Sequence, residues 1–358
     1  MVDVNKLSAQ VKHNCNISDA RYWDSYSICG LLFRLRDLYR TEKNIQPWMR
    51  IPKNEIGEWI SEREDLWNKI SKKDFESITI NGESLDPFDV EKINALIEQE
   101  KLLYGAGFGV NMKPSFFLAD LLSKKTIDGF MVYTAGQEYV RDLSTYPALL
   151  QDSTIITRVD STKLLLWQQF EELRGKRSKC ALTYAFSKYG LAPDDAPSER
   201  IDREISRIAR SEAYTYIYHE LGEAREGQRI GNEWIELLGE MPRSKTEIFV
   251  RSVKDILSDT SDQGLLKHII MHQKEGSLGF YLVFMSGFRK TLFPEMLEAF
   301  KIFMEAGNWK CIESARQAGY ERGLEISEEL LSLYRMHKKD KDYFLKLIDQ
   351  RFLSNYSK

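Results

Sequence analysis

The sequence predicts an α+β N-terminal part with a small antiparallel sheet, followed by an all-α helical bundle, so that the chain is mainly α overall. In the first 160 residues, apolar repeats of helical period are interrupted by short runs of period two. From Ser161 onward the period is almost only helical. With 358 residues, 42% of them hydrophobic, the chain can bury two cores. We therefore expect an α+β domain over residues 1–160 and a helical bundle over residues 161–358.

Three helices are predicted in the first part. Apolar residues at helical spacing predict an amphipathic helix over 21–42 and a second over 54–70. Asp86 as a cap with Pro87 in the first turn predicts a third helix that ends near residue 101. The polar face of the first of these helices carries Arg34, Arg36, Asp37 and Arg40.

Strand signals lie between these helices and residue 160. Residues 75–80 alternate in polarity and end in Asn81-Gly82, a dipeptide typical of tight hairpin turns. Residues 116–123 and 127–135 predict a hairpin that turns at Lys124-Lys125, and 153–159 predict one more strand. The glycines Gly105, Gly107 and Gly109 lack the spacing of a dinucleotide-binding loop and indicate a flexible or bulged turn.

The second part begins with a linker and continues as helices. Residues 189–197 are rich in glycine, proline and aspartate, and Ser198 then caps a long helix. Residues 278–288 are apolar on nearly all sides, which predicts the central helix of the bundle. Further helices are predicted at about 230–238, 245–257, 264–274, 294–305, 309–317, 325–337 and 341–353.

Composition excludes several classes of protein. The 51 basic and 54 acidic residues nearly cancel, so no basic field favours nucleic acid as a partner. The chain has no apolar segment of the length that a membrane span requires and no secretory signal at its start, so we expect a cytoplasmic protein without a membrane partner. No C-x-x-C pair occurs among the scattered cysteines, which indicates reduced thiols: Cys15, Cys29, Cys180 and Cys311.

The histidines supply the candidate site. Three of the five histidines lie in two predicted helices about fifty residues apart. His219 shares its helix with carboxylates seven positions before and four positions after it, and the other two histidines are one helical turn apart beside a glutamate. Imidazole and carboxylate ligands without cysteine favour iron, manganese or zinc, and we expect iron or manganese as the cofactor. The predicted metal ligands are Glu212, His219, Glu223, His268, His272 and Glu275.

Two other interpretations of these residues stay open. His219 begins the sequence His-Glu-Leu-Gly-Glu, which lacks the second histidine of a zinc protease, so hydrolytic zinc chemistry is disfavoured. The histidines can equally well be structural, because a buried imidazole is satisfied by polar contacts alone. Spacing cannot separate a metal site from a hydrogen-bond network.

The ligand spacing resembles that of the heme-oxygenase-like di-iron oxidases. Those enzymes carry Glu-x6-His on one helix and His-x3-Asp-x2-His on a later one, and this chain has Glu212-x6-His219 and His268-x3-His272-x2-Glu275. The last two ligand types are exchanged, and the resemblance covers at most the C-terminal half. It implies a non-haem iron or manganese oxidoreductase.

As a whole, the chain resembles an uncharacterised bacterial family of two-part proteins. The resemblance lies in residues 27–40, SICGLLFRLRDLYR, and 276–290, GSLGFYLVFMSGFRK, and it implies no activity. Two functional hypotheses follow: a cytoplasmic helical metalloprotein, or a non-catalytic ligand-binding, protein-binding or regulatory protein. In the second, the arginine-bearing helix of the α+β part binds the partner. The substrate and the oligomeric state are not specified by the sequence.

Overall fold

The fold class predicted from the sequence is confirmed in a computed structural model, which describes residues 2–109, 112–151, 153–174, 180–241 and 244–354. The chain forms two compact units. Unit 1 contains Met1–Glu172 and Asp194–Ala213, and unit 2 contains Leu173–Pro193 and Tyr214–Lys358.

The first helices of the chain surround a mixed sheet. The first helix was not predicted, because four polar residues are mixed with the apolar residues that it buries: Asn14, Asn16, Ser18 and Asp19. The fourth helix begins after Asp89, whose side chain accepts a hydrogen bond from the amide of Lys92, so the predicted start at Asp86-Pro87 was wrong. The bounds are α1 Val4–Tyr22, α2 Ile28–Lys43, α3 Lys53–Ile70, α4 Val90–Ile97 and α5 Val159–Leu173.

The strands form two sheets. The smaller sheet is the hairpin β1–β2, and its predicted turn at Asn81-Gly82 is confirmed, with φ of 52° and 88°. The larger sheet has the order β3-β4-β5-β7-β6 and is antiparallel except for the pair β5–β7. The bounds are β1 Ile78–Ile80, β2 Glu83–Leu85, β3 Leu102–Phe108, β4 Pro114–Ile127, β5 Phe130–Arg141, β6 Ala148–Gln151 and β7 Thr154–Arg158.

Two sequence predictions in this region were wrong. The long hairpin turns at Asp128-Gly129, both with positive φ, and not at Lys124-Lys125. Gly105 and Gly107 lie within strand β3 and not in a turn. A Cβ atom on Gly105 would lie 2.1 Å from the ring of Phe117 on the neighbouring strand, so glycine allows that ring to cover β3.

The described residues of unit 2 form helices joined by loops, which surround one apolar core. The predicted central helix is buried but shorter than expected, because the chain leaves helical geometry after Phe284 and Gly287 has a φ of +55°. The bounds are α6 Ala181–Ser187, α7 Glu199–Ile230, α8 Asn232–Gly239, α9 Lys245–Thr260, α10 Leu265–Met271, α11 Glu275–Phe284, α12 Phe288–Leu292, α13 Pro294–Ala306, α14 Trp309–His337 and α15 Lys341–Ile348.

The length and polarity of the helices bear on membrane insertion. Within the described ranges, every helix is too short or too polar to cross a bilayer.

Candidate functional site

His219 is the centre of a charged cluster in unit 2. Its Nδ1 lies 2.7 Å from Oδ1 of Asp259 on α9, and its Nε2 lies 4.0 Å from Oε2 of Glu223, one turn along α7. Burial by itself would lower the pKa of the imidazole, but attraction to Asp259 and their hydrogen bond outweigh it and raise that pKa to about 10. The imidazole is therefore a cation at neutral pH.

A second cation approaches the same aspartate from α12. The guanidinium of Arg289 lies 3.8 Å from Asp259 and 4.0 Å from Asp255. Lys254 on α9 is the third cation of the cluster and lies 2.6 Å from Oε1 of Glu223. The hydroxyl of Tyr281 is buried nearby, and burial raises its pKa well above that of free tyrosine, with Asp259 acting in the same direction.

Glu220 differs from the other carboxylates of this cluster. It is only 7% exposed, and no described residue forms a hydrogen bond or an ion pair with its carboxylate. Burial raises the pKa of Glu220 to about 8, with the charge of Glu223 acting in the same direction. Glu220 is therefore protonated at neutral pH, in contrast to Glu223, whose pKa is lowered because Lys254 and His219 outweigh the effect of burial.

The cluster forms because two helices pack at backbone distance. A Cβ atom on Gly222 of α7 would lie 2.2 Å from the carbonyl oxygen of Ser258 on α9, so glycine is required for this approach. Side chains on either side of the contact, His219 and Asp259, are thereby brought to hydrogen-bond distance.

The other predicted histidines lie together in a different environment. The ring centroids of His268 and His272 are 4.5 Å apart, and the ring of His268 stacks on Tyr218 with centroids 3.8 Å apart. Burial, Lys274 and His272 lower the pKa of His268 to about 4, so this imidazole is neutral. The neighbours of the pair are thus aromatic, whereas those of His219 are carboxylates.

The remaining predicted carboxylate ligands are Glu275 and Glu212. Glu275 accepts a hydrogen bond from the hydroxyl of Tyr184 at 2.5 Å and pairs with Lys188 at 2.5 Å. Glu212 is buried and belongs to unit 1. The structure thus brings His219 close to Glu223, and His268 close to His272.

Across the described ranges, no group of three or more histidine, cysteine, aspartate or glutamate side chains is arranged to hold a metal ion. The iron or manganese site therefore stays a prediction. The carboxylates that contact His219 instead form ion pairs, and aromatic rings occupy the space beside His268.

Unit 1 contains a polar cleft of about 140 Å³ between α2 and α5. Two of the cations that line the cleft form ion pairs with carboxylates. Arg36 pairs with Asp37 and Glu171, each at 3.1 Å, and Lys163 pairs with Asp202 at 2.7 Å. The residues used below that line it are Arg36, Arg40, Thr41, Glu138, Asp160 and Lys163.

Arg40 lines this cleft without a carboxylate partner. Its Nη1 donates to the carbonyl of Gln46 at 2.7 Å, and no described carboxylate forms an ion pair with its guanidinium. Burial, followed by the nearby charge of Arg36, lowers the pKa of Arg40 and outweighs the opposite effect of Asp37 and Glu171.

A second guanidinium lies next to the cleft. Arg141 is 3% exposed, and its terminal nitrogens make only long contacts, 3.4 Å to Oγ1 of Thr41 and 3.5 Å to the carbonyl of Asp142. Its Nε has no acceptor among the described residues. Because Thr41 lines the cleft, Arg141 adds positive charge directly behind that wall.

A third set of buried charges is fully matched. Arg158 and Glu138 have no exposed side-chain surface and form two hydrogen bonds of 2.8 Å, and Ser161 donates to Glu138 at 2.9 Å. Lys113 lies 3.1 Å from Asp19 and 3.4 Å from Asp142, both of which also accept backbone amide hydrogens. Because these side chains are buried and paired with one another, we assign them to the folded core, although Glu138 also borders the cleft.

Sequence reasoning found His219 and the arginine-bearing helix but missed the groups that determine their chemistry. Asp259 and Arg289 are 40 and 70 positions away from His219, and no local pattern links them to it. For Glu220, the available signal was its place beside His219 in a helix that packs on both sides. Arg141 is the last residue of β5, six positions beyond the end of the strand predicted over 127–135, so no pattern in the sequence indicated it.

The sequence matches two domains of one protein family. Residues 6–158 match the N-terminal domain, and residues 163–351 the C-terminal domain, of a family of unknown function, DUF6866. The chain belongs to this family. Neither the curated proteins nor the solved structures that were searched include a match to it.

Proposed function

We propose that this protein is a ligand-binding protein whose cleft in unit 1 takes a small organic anion. The observation that carries the proposal is Arg40, a cation that lines the cleft without a carboxylate partner among the described residues. A guanidinium presents five N–H donors in a planar fork that suits a carboxylate or a phosphate group. Among the described residues, Arg40 donates one hydrogen bond, to the carbonyl of Gln46.

The charges around Arg40 favour an anion. Arg141 lies behind Thr41, and Asp37 and Glu171 are engaged by Arg36, so Arg40 and Arg141 are the guanidiniums left for an anion at this end of the cleft. An anion would relieve their mutual repulsion in a site that is partly shielded from water.

The opposite wall limits the ligand further. Asp160 lines the cleft as a largely buried carboxyl, and burial followed by the charge of Glu138 raises its pKa. A second anionic group would be repelled there, so we expect the far end of the ligand to carry hydroxyl or amine donors. The volume of about 140 Å³ matches the roughly 150 Å³ cavity known to admit a benzene-sized molecule.

The test uses inorganic phosphate and lactate as probes, because each carries a single anionic group and lactate also carries a hydroxyl. We expect either probe to raise the Tm of the wild-type protein and to bind measurably in calorimetry, and Arg40→Gln to abolish both effects. The matched control is Arg203→Gln, which removes an exposed arginine of the same unit that pairs with Glu199 at 2.7 Å. Unchanged binding in Arg40→Gln would reject the cleft as the site.

A second candidate function is the predicted iron or manganese oxidoreductase, and the geometry of His268 and His272 favours it. Their rings are adjacent, and the imidazole of His268 is neutral at physiological pH, as a metal ligand must be. The test is elemental analysis of protein purified without a histidine tag or chelators, beside His268→Ala and His272→Ala. Near-stoichiometric iron or manganese that both variants lose would support this function.

A further inference from the structure

Lys113 is buried between two aspartates in unit 1. Its Nζ lies 3.1 Å from Oδ1 of Asp19 and 3.4 Å from Oδ1 of Asp142, and it also donates to Oγ of Ser144 at 3.1 Å. Lys113 is 2% exposed, and each of the two aspartates is 1% exposed. A primary amine and a carboxyl group are therefore held in contact where water has little access.

The backbone fixes all three side chains in place. Asp19 lies in the last turn of α1, Lys113 directly precedes β4, and Asp142 directly follows β5. The amide of Leu143 donates to both oxygens of Asp19, at 3.1 and 3.2 Å, and the amide of Phe116 donates to Asp142 at 2.8 Å. Reactants held in contact in this way avoid the entropic cost of a bimolecular encounter.

The two carboxyl groups differ in their affinity for a proton. Burial raises the pKa of Asp19 to about 6, against the opposite effect of Lys113. Burial would also raise the pKa of Asp142, but attraction to Lys113 and the hydrogen bond from the amide of Ser144 outweigh it and lower that pKa. Asp19 is thus the carboxyl that becomes neutral more readily, and a neutral carboxyl is the form that an amine can attack.

We propose that Lys113 and Asp19 condense to a side-chain amide that joins α1 covalently to the start of β4. The ammonium of Lys113 first passes a proton to Asp19 across their 3.1 Å contact. The Nζ atom then attacks Cγ of Asp19, and a C–N bond forms. Asp142 takes a second proton from Nζ and returns it to the departing hydroxyl, so that one C–O bond breaks and one water molecule leaves.

The surroundings favour both the reaction and its product. Negative charge develops on an oxygen of Asp19 during the attack, and the amide of Leu143 already donates to that carboxyl. Before the reaction three charged groups are buried together, and afterwards one charge remains, on Asp142, with the amide of Phe116 as a donor. Removing two buried charges avoids their desolvation penalty. No oxidant or other reactant is consumed.

The experiment is intact-mass spectrometry of the denatured full-length protein, followed by tryptic peptide mapping. We expect the wild-type protein to be lighter than its sequence mass by one water molecule. Residues 13–21 and 102–124 should be recovered as one linked peptide, because the first contains Asp19 and the second contains Lys113.

Three variants locate the bond. Lys113→Met removes the amine and Asp142→Asn removes the proton carrier, so each should have its full sequence mass and yield the two peptides separately. The matched control is Lys92→Arg, which replaces an exposed lysine that pairs with Asp89 at 2.5 Å, and it should lose one water molecule as the wild type does.

A wild-type protein at its full sequence mass would overturn the proposal. A water loss that maps to another peptide would also overturn it, for example one in residues 126–141, where Asp128-Gly129 can cyclise to a succinimide. The masses are measured on denatured protein. If a variant does not fold, the fragment spectrum of the wild-type linked peptide therefore still decides whether the amide joins Asp19 to Lys113.

Discussion

The two units contain unbalanced charge of opposite sign, and the environment of each charge determines its chemistry. In unit 1, Arg40 lines a cleft of about 140 Å³ with no carboxylate partner among the described residues. In unit 2, Glu220 is buried to 7% exposure with no described partner. The first can be neutralised by an anion from solution, whereas the second is neutralised by its own proton.

The comparison shows that a missing partner has different consequences for arginine and for glutamate. Arginine cannot lose its proton under physiological conditions, so an unpaired guanidinium stays charged and attracts an anion. Glutamate can become neutral by a pKa shift of a few units, so an unpaired carboxyl responds to pH instead. Unpaired groups of the two types therefore indicate a binding site and a pH response, respectively.

The largest effect is expected from a substitution that breaks the buried ion pair between Glu138 and Arg158. Glu138→Gln would leave Arg158 buried without a carboxylate partner, because both side chains have no exposed surface. We expect the free energy of unfolding to fall by about 3–5 kcal/mol, measured by urea denaturation with an unchanged m value. Glu199→Gln, at an exposed pair of the same unit, should change it by less than about 1 kcal/mol. A loss below about 1 kcal/mol in Glu138→Gln would contradict our assignment of this pair to the core.

A smaller effect is expected where α7 touches α9. Gly222→Ala would place a Cβ atom 2.2 Å from a backbone oxygen, and the two helices must move apart to accept it. We expect a loss of about 1–3 kcal/mol in urea denaturation and a raised exchange rate in α9. Gly227→Ala on the same helix is the control, since its nearest neighbour is the end of the Lys254 side chain at 3.9 Å. Equal effects of the two variants would show that the helix contact is not tight.

The smallest effect is the pH dependence that His219 adds. Its pKa is raised from 6.5 to about 10, so its contribution to stability is fully present below about pH 6.5 and is lost as the pH rises to about 10. We expect the Tm of the wild type to fall over this range and His219→Gln to show a flatter profile. The effect should be modest, because about a fifth of the imidazole is exposed and solvent screens its attraction to Asp259. Parallel profiles of the two proteins would contradict the assigned ion pair.

The sequence predicted the fold class well where the pattern was periodic and local. The turn at Asn81-Gly82 and most helices of the second part follow from residue type and spacing alone, but the separate helices predicted at 309–317 and 325–337 were wrong, because α14 runs through both. The dipeptide Asp128-Gly129 is an equally strong turn signal. It lies inside the second predicted strand, 127–135, which is why the turn was predicted too early. Helix α1 carried no such signal, because tertiary hydrogen bonds satisfy its buried polar side chains, as between Asn14 and the backbone of Glu76.

The candidate site was less predictable than the fold. The rarity of histidine directed attention to His219, but its partners depend on how α7, α9 and α12 pack. The pair His268 and His272 is adjacent, as helical spacing predicted, although it contacts Tyr218. Spacing within one helix is a local property, and contact between helices is determined by the whole core.

Helix α7 has a consequence for the independence of the two family domains. Its 32 residues run without interruption from Glu199 to Ile230, and the residues up to Ala213 belong to unit 1. Asp202 from this stretch binds Lys163 and Trp167, and the carbonyl of Ala213 accepts from Thr157. A gene fragment that stops at residue 158, the end of the N-terminal family domain, would lack these residues of α5 and α7 and would leave Thr157 without its partner. Exchanging halves between relatives should therefore succeed only if the donor half brings this part of the helix along.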